Sequence, residues 1–228
     1  STYPGPTIIA GGTVKQGGPL LHLSFDNTNG ATVVNGGSGG PALNGTLTGS
    51  GVSITSSGRY GKGLAVGTNA VNSSYVLVNS PVMNFNNGGT WSWALWIKST
   101  NAGGAYLYQG DGSWATWNTS FYLNPGSAAS GTKGGGVRHS QGWQTGTAVL
   151  NDGNWHFIAM TCNSGVKAFY VDGVVDAWTV SQWGDAGTGG QLWIGGSGDT
   201  SDGNMPFNGT IDEVFVYGRP LSVTRLPA

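Results

Sequence analysis

Thr90-Trp91-Ser92-Trp93-Ala94-Leu95-Trp96-Ile97-Lys98 is the stretch from which the fold can be read. Successive side chains of a β-strand point to opposite faces. One face therefore carries Trp91, Trp93, Leu95 and Ile97, and the other carries Ser92, Ala94, Trp96 and Lys98. Working outward, the runs Trp155 to Cys162 and Val166 to Val171 flank Asn163-Ser164-Gly165, a short hairpin connection. Asp172-Gly173 then turns the chain into Val174 to Val180, because Asp and Gly accept the positive φ of a type I′ turn. Further strands are expected at Leu20 to Phe25, Gly61 to Val66, Ser74 to Asn79, Thr119 to Leu123, Gln191 to Ile194 and Thr210 to Tyr217. Helical periodicity is almost absent, and short runs bounded by Gly, Asn, Asp and Ser recur throughout. That is the pattern of an all-β sandwich.

Composition agrees. The 228 residues include 43 glycines, and only 8% are charged, against about a quarter in an average soluble domain. The glycines follow no three-residue period and there are only nine prolines, which excludes collagen. Ten tryptophans and 38% hydrophobic residues are ample for a core and exclude a disordered chain. A formal net charge of −1 gives no electrostatic footprint for nucleic acid or an anionic membrane. No apolar run approaches the roughly 18 residues of a membrane-spanning helix. The single cysteine, Cys162, reads as a small buried hydrophobe, which excludes a disulfide-stapled scaffold. Nothing resembles an interdomain linker, so the chain divides into an extended N-terminal arm, 1–19, and one domain, 20–228. The chain begins at Ser1, which leaves removal of an initiator Met or of a signal peptide.

Residues 101–150 stand apart. They hold Tyr106, Tyr108, Trp114, Trp117, Tyr122 and Trp143 among Gly, Ser, Asn and Gln. Loops this aromatic either fold down onto a sandwich or display a stacking surface.

Catalysis is tested by counting carboxylates, since most glycoside hydrolases place two across the scissile bond. The chain has one Glu, Glu213, so a hydrolase would need an Asp pair or an Asp with Glu213. Asp199 and Asp202 lie in a loop without hydrophobic neighbours to raise a pKa. A polysaccharide lyase would find its best base in Arg138-His139 with a nearby Tyr, yet adjacent residues of a strand face opposite ways. Gly36-Gly37-Ser38-Gly39-Gly40 matches the Gly-x-Ser-x-Gly pattern without the strand before and helix after that a nucleophile elbow needs. His22, His139 and His156 are far apart, with no zinc spacing; His22 and His156 read as satisfied imidazoles in strands. Asp26-Asn27-Thr28-Asn29-Gly30 and Ile211-Asp212-Glu213 are oxygen-rich, suited by composition to turns and by chemistry to calcium. The four Asn-x-Ser/Thr sequons, at Asn44, Asn72, Asn118 and Asn208, are expected by chance in such a chain.

In order along the chain, several segments together resemble the laminin-G-like family of concanavalin A-like jelly rolls. Leu20-Leu21-His22-Leu23-Ser24-Phe25-Asp26 resembles its opening strand, followed by Asn44-Gly45-Thr46-Leu47 and by Gly58-Arg59-Tyr60-Gly61-Lys62-Gly63-Leu64-Ala65-Val66. Thr90 to Lys98 is similar to its aromatic strand, with Trp96 as the family's Trp. Asp152-Gly153-Asn154-Trp155-His156-Phe157-Ile158-Ala159 and Ala168-Phe169-Tyr170-Val171-Asp172-Gly173 resemble its hairpin. Phe207 to Ser222, with Ile211-Asp212-Glu213-Val214-Phe215 at its centre, is the most specific piece. The resemblance implies a two-sheet antiparallel jelly-roll sandwich with neighbouring termini. It also implies a structural calcium ion between Asp26 and Asp212.

The resemblance further implies recognition of glycans or protein surfaces. The leading expectation is a non-enzymatic module, a structural or adhesive part of a larger assembly such as the surface of a phage virion. In the arm, Thr7-Ile8-Ile9 and Thr13-Val14-Lys15 are suited to pairing with another chain's sheet edge. Glycan binding would use Trp114, Trp117, Trp143 and Trp183, all in loop-like context, on cell-surface or extracellular glycans. Nucleic acid and membrane insertion are not expected. The alternative is a secreted carbohydrate-binding module, or a secreted jelly-roll lyase or glycosidase.

Overall fold

The computed structural model describes residues 7–9, 12–14, 17–67, 74–83, 85, 89–101, 104–110, 120–123, 134–139, 142–179, 190–196, 207–221 and 223–225. Strands are numbered in chain order. The first seven are β1 (Thr7–Ile9), β2 (Gly12–Val14), β3 (Leu21–Leu23), β4 (Thr28–Asn29), β5 (Thr32–Val33), β6 (Gly45–Thr48) and β7 (Val52–Thr55). They are followed by β8 (Gly63–Val66), β9 (Tyr75–Asn79), β10 (Thr90–Lys98), β11 (Gly104–Gly110), β12 (Ser120–Leu123), β13 (Gly134–His139) and β14 (Gly142–Val149). The last six are β15 (Trp155–Asn163), β16 (Val166–Val171), β17 (Val174–Thr179), β18 (Gln191–Ile194), β19 (Gly209–Tyr217) and β20 (Val223–Arg225).

Two antiparallel sheets make the sandwich. One runs β17-β16-β15-β10-β19-β8-β7, with β3 paired to β19 beyond the end of β8. The other runs β14-β13-β12-β11-β18-β9-β6-β5-β4. The inward face of β10 is the one anticipated: Trp91, Trp93, Leu95 and Ile97 are at most 1% exposed and join Leu64, Val76, Leu107, Ile158, Leu192, Ile211 and Val214 in a single core. Phe85 packs on both Trp91 and Trp93. Both two-residue hairpin turns lie in the positive-φ region that a type I′ turn demands, Ser164-Gly165 at 49° and 89°, and Asp172-Gly173 at 49° and 80°. Cys162 is a buried free thiol.

Two sequence readings need correction. Residues 101–150 are not simply a run of aromatic loops, because β11, β12, β13 and β14 form four strands of the nine-stranded sheet there. The glycine-rich Gly134–His139 and Gly142–Val149 lack the alternation of large apolar residues that marks a strand, and their pairing is supplied by the neighbouring strands. The first expected strand is also shorter, ending at Leu23, because Phe25 adopts φ 61° and swings Asp26 out of the sheet direction. In the arm, β1 pairs with β2, and β2 pairs with β20 of the same chain, as a separate three-stranded sheet.

The outer face of the eight-stranded sheet carries a second apolar layer: Ala94, Trp96, Phe157, Ala159, Phe215, Tyr217 and Leu221, with Trp155 and Tyr170 against it. The segment after β19 crosses this face. The Ser92 hydroxyl donates to the Arg219 carbonyl and accepts from the Leu221 N–H.

Candidate functional site

The two carboxylates expected to hold calcium each bond the backbone of one loop. The turn Gly58-Arg59-Tyr60-Gly61-Lys62 precedes β8 and closes on itself through a Gly58 N–H to Gly61 carbonyl bond. Asp26 Oδ1 accepts the Lys62 N–H at 2.7 Å, and Asp212 Oδ2 accepts the Tyr60 N–H at 2.9 Å. Glycine is required at two points. Gly61 has φ +74° with Asp26 against its α-carbon, and a Cβ on Gly58 would strike the Lys62 carbonyl and stand 2.9 Å from Asp212 Oδ2.

A β-bulge aims the second carboxylate. Strand β10 pairs Ala94 with Phe215 but Trp96 with Asp212, so two residues of β19 oppose Leu95 alone. Glu213, at φ 52°, absorbs the extra residue. Ile211 and Val214 both remain in the core, while Asp212 and Glu213 leave on the same outer side. Glu213 Oε2 meets His22 Nε2 at 2.5 Å, and the His22 ring stacks on Phe215 at 4.4 Å.

Asp212 is 0% exposed. Burial, with Glu213 beside it, pushes its carboxyl up to about 7, against the pull of the Tyr60 and Glu213 N–H bonds. A buried carboxylate short of positive charge, sharing a loop with Asp26, suits a hard divalent cation. All donors here are oxygens, as calcium prefers. Among the described residues no three His, Cys, Asp or Glu side chains are grouped to hold an ion, so loop carbonyls would complete the set. The same burial removes the Asp212–Glu213 pair as a hydrolytic couple, since Asp212 cannot reach a substrate.

The loop also carries side chains that the sequence reading did not single out. Tyr60 is 53% exposed and stands edge-on to Trp96 at 6.0 Å. The Arg59 guanidinium lies 4.8 Å from the Trp96 ring centre and 5.4 Å from that of Tyr60. The signal lay in Arg59-Tyr60 standing inside a turn flanked by Gly58 and Gly61.

Of the expected sugar-binding residues, Trp114, Trp117 and Trp183 lie outside the described residues, and Trp143 lies in β14. The described strand ends beside them are informative. Gly110 pairs with Gln191, Tyr108 with Ser120, Ser120 with Arg138, and Arg138 with Trp143. The end of β11, the start of β12, the end of β13, the start of β14 and the start of β18 thus share one end of the nine-stranded sheet. Tyr108 and Trp193 stack edge-to-face on its outer surface, with Tyr75 against Trp193. Arg138 and His139 are consecutive in β13.

His156 is satisfied, as anticipated. It bonds Asp172 Oδ2 at 2.8 Å and Asp152 Oδ1 at 3.1 Å, which raises its pKa, chiefly through Asp172.

A family model described as the concanavalin A-like lectin/glucanases superfamily matches residues 67–226. Among solved structures, the chain is similar to domain 4 of AbnA, an extracellular arabinanase from Geobacillus stearothermophilus solved with arabinotriose. Identity is 20% over 91% of this chain and 96% of that one, with a TM-score of 0.65. The binding domain of Paraclostridial Mosquitocidal Protein 1 is similar at 14% identity, over 90% of this chain and 50% of that one, TM-score 0.61. Domains LG4-5 of the mouse laminin alpha1 chain are similar at 14% identity, over 69% of this chain and 44% of that one, TM-score 0.51. No curated protein sequence matches the chain.

Proposed function

Since the chain belongs to the laminin-G-like members of the concanavalin A-like lectin/glucanase superfamily, we propose that it is a non-enzymatic recognition module that binds glycans. One observation carries the reading: the strand ends flanking Trp114, Trp117, Trp143 and Trp183 gather at one end of the nine-stranded sheet. Aromatic rings on neighbouring segments offer flat apolar faces to the C–H faces of sugars, and Asn, Gln and Ser between them supply hydroxyl partners. The likeness to a domain solved with arabinotriose supports the same reading. Asp26 and Asp212 would hold a structural calcium ion, whose charge would neutralise the buried Asp212 carboxylate.

Glycan-array screening followed by calorimetry on the best ligand tests the proposal. Ala at Trp114, Trp117, Trp143 or Trp183 is expected to weaken binding by about tenfold or more at two or more positions, in line with the loss of a stacked ring. Binding by none of the arrayed glycans, or binding indifferent to all four substitutions, refutes it.

A second reading concerns assembly. Strands β1 and β20 each have an outer edge unpaired among the described residues, which suits strand addition by another chain. A structural or adhesive role at a virion surface, or in an extracellular assembly, would use that edge. Removing residues 1–18 is then expected to abolish assembly and spare sugar binding.

A further inference from the structure

We propose that the outer face of the eight-stranded sheet, beside the Gly58–Lys62 turn, is a second ligand site, built for a sugar that carries a carboxylate. It is distinct from the tryptophan-bearing end of the other sheet and does not depend on it.

The layer beneath the site is aromatic and buried. Trp96 and Phe157 stand edge-to-face at 5.3 Å, and Trp155 packs against the same layer. Tyr60 rises above this layer with half its surface in water, the one exposed aromatic ring among the described large hydrophobic residues. Its backbone is pinned by Asp212, so the ring is presented without the cost of ordering a loop. A sugar ring has a C–H face that a phenol ring of this kind can cover.

The rim is cationic. Arg59 lies against Trp96 and Tyr60, Lys62 follows two residues after Tyr60, and Lys98 stands two residues beyond Trp96 on the same outer face of β10. Lys98 is paired across to Trp155. All three cations are exposed, and none forms an ion pair among the described residues. The nearby acids take other donors. Asp26 and Asp212 accept backbone N–H groups, and Asp172 accepts the Phe157 N–H and His156. In a chain with only nine Lys and Arg, Arg59 against the exposed ring, with Lys62 on the same turn and Lys98 on the same face of β10, is a complement to negative charge. Arginine in particular takes a carboxylate through two parallel N–H bonds.

Calorimetry on the full chain with trigalacturonate, and with the neutral galactose trimer of equal length, tests this. At low ionic strength the acidic trimer is expected to bind about tenfold or more tightly than the neutral one, and 1 M NaCl should remove most of that advantage. Arg59→Gln is expected to abolish the preference, Lys62→Gln and Lys98→Gln to reduce it, and Tyr60→Ala to weaken binding of the acidic trimer. Ala at Trp114 or Trp183 should leave it intact. Circular dichroism checks that each surface variant is folded. The proposal is overturned by equal affinity for the two trimers, by no binding of trigalacturonate at millimolar concentration, or by a preference that survives Arg59→Gln. Abolition by EDTA with Arg59→Gln silent would overturn it too, since a bound cation would then be holding the carboxylate.

Discussion

Truncating Asn35 to alanine should loosen the whole N-terminal side of the sandwich. Asn35 is 8% exposed, and its side chain makes four hydrogen bonds. Oδ1 accepts the N–H groups of His22 and Gly37, each at 2.8 Å, and Nδ2 donates to the carbonyls of Leu20 and Gly40, each at 3.1 Å. The Leu20 carbonyl keeps a second donor, the Gly39 N–H, so alanine orphans three backbone groups rather than four. At roughly 1 kcal/mol for each partly buried group, the loss is about 3 kcal/mol. For a domain of this size that corresponds to a fall in Tm of about 6 to 12 °C. Asn35→Asp sharpens the test. It keeps both acceptor bonds but sets a carboxylate oxygen against two carbonyls. Aspartate there should titrate high, so its deficit should be large at neutral pH and shrink as acid protonates it into a donor. Calorimetric melts of both variants between pH 4 and 8 decide the matter. An alanine variant melting within about 2 °C of the parent would refute the reasoning.

The remaining predictions concern titration. Because the folded Asp212 carboxyl sits near 7 against 3.8 for the free group, the folded chain holds the extra proton between those values. Stability should therefore fall as pH rises from about 4 to 7, by a few kcal/mol at most, and stay low above it. Millimolar calcium should restore Tm at pH 8 but not at pH 5, EDTA should reverse the gain, and Asp212→Asn should be blind to both. His156 carries a raised pKa, so the link it makes between Asp152 and Asp172 should be complete below 6.5 and weaken as pH climbs through the folded value. With both acids partly exposed, His156→Gln should cost on the order of 1 kcal/mol at pH 6 and little at pH 9, read from urea melts.

How far the fold was legible depended on periodicity. The alternation of Thr90 to Lys98 named its core face residue by residue, and Asp172-Gly173 named its own turn. β13 and β14 were illegible because glycine and small polar residues alternate with nothing, and only the neighbouring strands make them a sheet. The bulge at Glu213 did leave a trace. Ile211 and Val214 are three apart, an odd spacing that a regular strand cannot bury on one face. Asp26 and Asp212 came from family resemblance rather than spacing, and both reach the same loop. Asn35 gave no signal at all. Its importance is a matter of where two distant backbones cross, and one asparagine among many looks like a turn residue.

The scarcity of charge takes on a physical meaning once the carboxylates are followed to their partners. Every acid among the described residues is engaged by a backbone N–H or a histidine. Asp26 and Asp212 fix the 58–62 turn, Asp152 and Asp172 hold His156, Asp176 takes the Thr147 and Ala148 N–H groups, and Glu213 holds His22. A sandwich so rich in glycine has many loop N–H groups with no strand to pair them, and a short acid is a strong acceptor for such donors. Among the described residues none of these acids forms an ion pair with Arg59, Lys62 or Lys98, and all three cations are exposed. Among these described acids the one adjacent pair, Asp212 and Glu213, has its first member sealed beneath a loop. Among the described residues the acids are thus spent on holding turns and histidines, and the 58–62 turn that two of them fix is the one that presents the exposed Tyr60.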